Sequence, residues 1–136
     1  MGESLEHTKL VDSIKKWLLE YKQSSSNLCV FCDSPSRSSQ DKPPAIEGFI
    51  PDIYAIIPNG ELVIVGEAKT WSDIESRHSI AQFGAFLRYC STRKNTMLVI
   101  AVPWDMVNCV KSLVRFLQKS TNTQAACVKI LEKLSY

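Results

Sequence analysis

Two acids and a lysine carry the most informative spacing in this chain. Phe49-Ile50-Pro51-Asp52-Ile53 is followed by Gly66-Glu67-Ala68-Lys69-Thr70, with fourteen residues between Asp52 and Glu67. Between the two stretches stands Pro58-Asn59-Gly60, and Asn-Gly tolerates the positive φ that hairpin turns need. Strand side chains alternate between faces, so Glu67 and Lys69 share one face while Gly66, Ala68 and Thr70 take the other. Val63 and Val65 lie on the Glu67 side, so an acid and a lysine end an apolar row. The turn folds one strand back on the other and brings Asp52 opposite the Glu67–Lys69 end. Carboxylates so placed suit Mg²⁺, which takes one or two of them and leaves its other positions to water and phosphate. Such an ion polarises a phosphoryl oxygen and makes water a usable nucleophile. An ammonium beside it offsets charge that grows in the transition state. Both acids are expected at a solvent-reached sheet end.

Other reactive residues give weaker patterns. Cys29-Val30-Phe31-Cys32 has the spacing of half a zinc site, yet no second such pair or His pair stands at suitable distance. A redox motif would open a helix, whereas this pair sits in an apolar run before Asp33-Ser34-Pro35, so buried inert thiols are expected. Trp71 and Trp104 stand at element ends; core is the default and stacking platforms for nucleic acid the alternative. The chain has no P-loop, no dinucleotide-binding glycine pattern and no nucleophile elbow.

The elements that must position these residues read as follows. Leu10, Val11, Ile14, Trp17, Leu18 and Tyr21 have helical spacing over 5–22, with Ser4 as N-cap. Residues 28–31 form a short strand, and 33–44 an exposed loop rich in Ser and Pro. Strands follow over 48–57, where Pro51 marks a start or a bulge, and over 62–70. Ser72 or Asp73 caps a helix running through Cys90. A buried strand spans 96–102, and Pro103 stops it. An amphipathic helix covers 107–118, and 122–134 reads as helix more than strand. The order α-β-β-β-α-β plus C-terminal helices predicts an α/β sandwich with a mixed sheet flanked by helices.

Composition sets the frame. A chain of 136 residues with 45% hydrophobic and 22% charged residues is expected to be one domain, 1–136, with a sufficient core of its own. Its longest apolar run, 97–103, is too short to span a bilayer. The first residues carry acids where a leader would carry lysines, and no myristoylation pattern is present. Five cysteines form no disulfide framework, so a soluble, intracellular, cytoplasmic protein is expected. Net charge is only +2, but from residue 77 onward nine Lys and Arg stand against two acids. That half is compatible with a polyanionic partner, and equally with helices bearing solvated lysine faces.

Ile50-Pro51-Asp52 and Gly66-Glu67-Ala68-Lys69-Thr70, one acid on each strand of a hairpin, resemble the PD-(D/E)xK (restriction-endonuclease-like) nuclease superfamily. In size and pattern the chain is most similar to its small Holliday-junction-resolvase-type members, over roughly residues 5 to 102. The resemblance implies a three-layer α/β core and an Mg²⁺-dependent deoxyribonuclease, with Mn²⁺ as substitute metal. The substrate implied is duplex or structured DNA cut internally, as in repair or recombination. Asp52 and Glu67 would hold the metal, with the Ala68 backbone carbonyl as a further ligand, and Lys69 would position the attacking water. A further acid on the first helix is implied: Glu6 is preferred and Glu20 is the competitor. Gln82 matches a glutamine placed near the metal, but the Tyr that follows it in exonuclease-type members is replaced by Phe86, and Tyr89 lies seven positions on. Arg77 and His78 could contact phosphate. The partners implied are DNA and no membrane, with a homodimer or a directing protein to supply specificity. The alternative is a nuclease-fold module that binds nucleic acid or protein without cutting.

Overall fold

An amphipathic helix opens the described part of the chain. In α1 (Leu5–Tyr21), Leu10, Ile14 and Leu18 recur at helical spacing and are fully buried. Ser4 Oγ accepts a hydrogen bond from the His7 amide at 3.1 Å, closing the first turn as expected. The computed structural model describes residues 4–21, 28–33, 42–57, 62–74 and 76–132. The expected helix stop at 24–27, most of the 33–44 loop and the Pro58-Asn59-Gly60 turn lie outside them.

Four strands then build most of a sheet: β1 (Cys29–Cys32), β2 (Ile53–Ile57), β3 (Leu62–Ala68) and, after helix α2 (Arg77–Ser91), β4 (Thr96–Ala101). A short 3₁₀ turn (Trp104–Met106) leads into α3 (Val107–Ser120), and β5 (Cys127–Ile130) completes a five-stranded sheet of order β1-β2-β3-β4-β5. The first three strands pair antiparallel, and β4 and β5 join in parallel, so the sheet is mixed. Ile53 stands opposite Gly66 and Ile57 opposite Leu62, the hairpin expected from the sequence.

Strand alternation divides the core between the two faces. Ile53, Ala55, Ile57, Ile64, Val99 and Ala101 pack with α1. Tyr54, Val65, Leu98, Ile100 and Ile130 pack with Phe83, Phe86 and Leu87 of α2 and Val110, Val114 and Leu117 of α3. The protein is thus α/β, with helices on both faces of the sheet. No helix among the described residues is long and apolar enough to cross a membrane.

Three expected elements differ. Of the helix expected over 122–134, the described residues 122–132 form none: Asn122 adopts a left-handed φ of 55° just after α3, and residues 127–130 pair with β4. The Ala125-Ala126 pair favours helix locally, but β4 presents an open edge, and Cys127 and Lys129 alternate outward while Ile130 turns inward. The strand expected from residue 48 starts at Ile53, because Glu47 and Gly48 take positive φ in a turn that bridges Ile46 to Phe49, and Pro51 has no amide to pair. The second helix is capped by Ser76, whose Oγ accepts from the Ser79 amide at 3.0 Å. The expected caps lie in a turn before it, in which the Asp73 amide donates to the Thr70 carbonyl at 3.2 Å.

Candidate functional site

At the carboxyl end of β3 the sequence-predicted acids and lysine come together. Asp52 stands just before β2, Glu67 near the end of β3, and Lys69 one residue past it, its amide still donating to the Ala101 carbonyl at 3.0 Å. Asp52 Oδ2 accepts from the Ala68 amide at 2.8 Å, and the Asp52 amide donates to Glu67 Oε1 at 3.1 Å. Backbone and side chains are therefore interlocked across the two strand ends. Glu67 Oε2 lies 3.1 Å from Lys69 Nζ, which also donates to Gln82 Oε1 on α2. Gln82 is buried, as its expected place near the site requires.

The acids are less solvent-reached than expected. The Glu67 side chain is only 4% exposed and that of Asp52 13%. Burial pushes the Glu67 carboxyl up to about 8, and the neighbouring Asp52 charge adds to the shift, while Lys69 opposes it. A buried carboxylate held beside a second carboxylate favours anything that brings positive charge to the pair. The hard oxygens at hand are the carboxylates of Asp52 and Glu67 and the Ala68 carbonyl between Glu67 and Lys69. Among the described residues no group of three or more His, Cys, Asp or Glu side chains is gathered as a metal cage. Two carboxylates are nevertheless the complement Mg²⁺ ordinarily uses, so the residues present fit that ion.

The first helix contributes a different residue from the one expected. Glu6 and Glu20 are both exposed, Glu20 at the far end of α1 from the site. His7 is the residue that reaches in, with Nε2 3.2 Å from Asp52 Oδ2 and the side chain 17% exposed. A weak sequence signal for it exists: His7, three residues before Leu10, projects about 20° from the middle of the face that Leu10, Ile14 and Leu18 span, whereas Glu6, four residues before Leu10, projects about 80° from it. Gly66 lets α1 come this close, since a Cβ there would meet Ile14 Cγ2 and Ile53 Cβ at 3.2 Å each.

Other candidates fall elsewhere. Tyr89 is tied to Tyr54, hydroxyl to hydroxyl at 2.6 Å, and stacks under the Arg93 guanidinium at 3.9 Å, while Phe86 is wholly buried. Arg77 and His78 are exposed at the start of α2, with the His78 ring edge-on to Phe49 at 5.4 Å. Cys29 is exposed and Cys32 buried; three residues apart on a strand, they point to opposite faces, which suits neither a shared metal nor a redox pair. Trp71 and Trp104 are 59% and 71% exposed, so neither belongs to the core. A cleft of about 650 Å³ opens at the opposite end of the sheet, lined by Cys90, Arg93, Lys94, Thr96 and Cys127, away from these acids.

Compared with known proteins, the chain matches no family model, no curated protein and no solved structure.

Proposed function

We propose that this chain is an Mg²⁺-dependent deoxyribonuclease of the PD-(D/E)xK type, hydrolysing phosphodiester bonds within duplex or structured DNA. The observation that carries the reading is the convergence of Asp52, Glu67 and Lys69 at one sheet end, with the Asp52 amide 3.1 Å from Glu67 Oε1 and Lys69 Nζ 3.1 Å from Glu67 Oε2. Ligands and substrates of open α/β sheets gather at the carboxyl ends of parallel strands, which is where this set stands.

Asp52, Glu67 and the Ala68 carbonyl would hold the metal, which when bound supplies Lewis-acid polarisation of the phosphate and a more acidic water. Lys69 extends its ammonium from the same strand end. Held by Glu67 and Gln82, it is oriented in advance to steady an attacking water and to offset charge on the phosphoryl oxygens. His7, within hydrogen-bond reach of Asp52, fixes the orientation of that carboxylate from the helix side.

Nicking of supercoiled plasmid in Mg²⁺, set against the same reaction in EDTA, tests the reading. Cleavage should require the metal and fall at least ~10²-fold in Asp52→Ala and Glu67→Ala, the scale of losing one preorganised electrostatic contact. Folded variants that cut like the wild type would sink the site. A folded wild type that binds DNA yet never cuts would leave a non-catalytic binding module.

A further inference from the structure

The same rim carries two tryptophans that this chemistry leaves unused. Ala68 and Ala101 are paired across β3 and β4, and each is followed three residues later by a tryptophan, Trp71 and Trp104. Parallel strands run the same way, so both residues leave the sheet at the same end, from strands about 4.8 Å apart. That is the end that bears Lys69, two residues before Trp71. At 59% and 71% exposure they are unusual, because an indole is ordinarily among the most buried side chains on average. The remaining tryptophan, Trp17, packs against the core beneath α1.

Charge near this rim is mixed. Arg77 and His78 are exposed at the start of α2, but so are Asp73 beside Trp71 and Asp105 beside Trp104. A phosphate backbone would gain little from such a balance, so a strand held here needs another source of affinity. Indoles offer one to bases but not to a closed duplex, whose bases already stack on one another and hide their faces. Unpaired bases present a free π-face, and stacking each on an aromatic contributes about 1–3 kcal/mol.

We propose that Trp71 and Trp104 are stacking platforms for unpaired bases, so that the strand acted on reaches Asp52, Glu67 and Lys69 as a single-stranded segment of the substrate. This rests on the nuclease reading above and narrows its substrate to nucleic acid with unpaired nucleotides at the cleavage point.

Fluorescence anisotropy in EDTA tests it without any cleavage, using the full chain and three labelled probes of equal length: an oligothymidylate, the corresponding abasic strand, and a blunt duplex. The oligothymidylate should bind at least ~10-fold more tightly than the abasic strand, which keeps the phosphates and lacks the bases. Trp71→Leu and Trp104→Leu should each weaken oligothymidylate binding roughly 5- to 150-fold, in line with the loss of one stacked base. Trp71→Phe and Trp104→Phe should recover part of it, because a ring is restored, while abasic and duplex binding stay unchanged. Equal affinity for the base-bearing and abasic strands would overturn the proposal. So would Leu variants that bind like the wild type or lose all three probes alike, and so would absence of binding to any strand, which would leave the indoles to a protein partner. Base-dependent binding without Mg²⁺-dependent nicking would sink the enzyme reading alone, whereas nicking indifferent to both tryptophans would sink the stacking alone.

Discussion

Two glutamates in this protein each meet a basic side chain, in opposite surroundings. Glu47 and Arg88 meet at 2.6 Å on the surface, each 46% exposed, through a forked contact in which Arg88 Nε and a terminal amine both donate. Glu67 and Lys69 meet at 3.1 Å with only 4% and 10% of their side chains exposed. The surface carboxyl is held below the usual range by its hydrogen bond from Arg88. Burial drives its buried counterpart the other way, up to about 8, and Asp52 reinforces the shift. Water makes an ion pair easy to form and of little consequence, whereas a dry site makes charge costly to hold and therefore responsive to a ligand that brings the opposite sign. On the proposed reading, the buried pair is the one placed to answer a ligand, and the surface pair adds at most a little stability.

The largest expected contrast is catalytic. Glu67→Gln should lower Mg²⁺-dependent nicking at least ~10²-fold, and Lys69→Ala should abolish turnover while calorimetry with Mn²⁺ or Ca²⁺ still detects metal binding. Glu47→Gln and Arg88→Ala should cut like the wild type. Metal affinity lost in step with activity in Lys69→Ala would make that lysine a structural prop for the acids.

Stability should cross over. Gln imitates the protonated carboxyl that Glu67 favours in the metal-free fold, so Glu67→Gln should melt in EDTA at or above the wild-type temperature at pH 7. Glu47→Gln removes a solvated pair and should cost up to about 1 kcal/mol, a Tm lower by a few degrees. A large drop in Glu67→Gln would show that the buried carboxylate is charged and supports the fold.

The pH dependences should run in opposite directions. Folded Glu67 keeps a proton up to about pH 8 that the unfolded chain releases near 4.5, so the folded state binds more protons in that window. Its contribution therefore makes stability in EDTA fall as pH rises from about 4.5 through about 8, and Glu67→Gln should remove that slope. Glu47, held low, contributes stability above about 4.5 that is lost as pH falls through its lower folded value. Because a metal requires the charged carboxylate, Mg²⁺ binding should release protons below pH 8, visible in calorimetry with buffers of different ionisation enthalpy. No proton release would show that Glu67 is already charged or is not a ligand.

The smallest effect concerns DNA. Arg88 is occupied by Glu47, so Arg88→Ala should leave the salt dependence of duplex binding unchanged. Exposed Arg77 is the better phosphate contact, and Arg77→Ala should reduce the log–log salt slope by about one unit. A reduced slope for Arg88→Ala would mean that its pairing with Glu47 yields to the backbone.

Much of this was legible in the residues themselves. Two apolar, β-branched runs on either side of Pro58-Asn59-Gly60 are enough to suggest pairing 53–57 with 62–66 and to bring Asp52 beside Glu67, and the Leu10–Ile14–Leu18 stripe is enough to bury α1. Both signals are local, written in side chains whose backbone period decides which face they occupy. Tertiary structure decided the rest. Residues 127–130 became a strand because β4 had an unfilled edge, which local propensity cannot register. The rotation of α1 selected His7 over Glu6, since the close approach at Gly66 fixes which side of the helix meets Asp52. The height of the Glu67 pKa and the exposure of Trp71 and Trp104 are likewise properties of what surrounds them. A sequence specifies which groups a residue offers and in what order; how much water each keeps depends on neighbours distant along the chain.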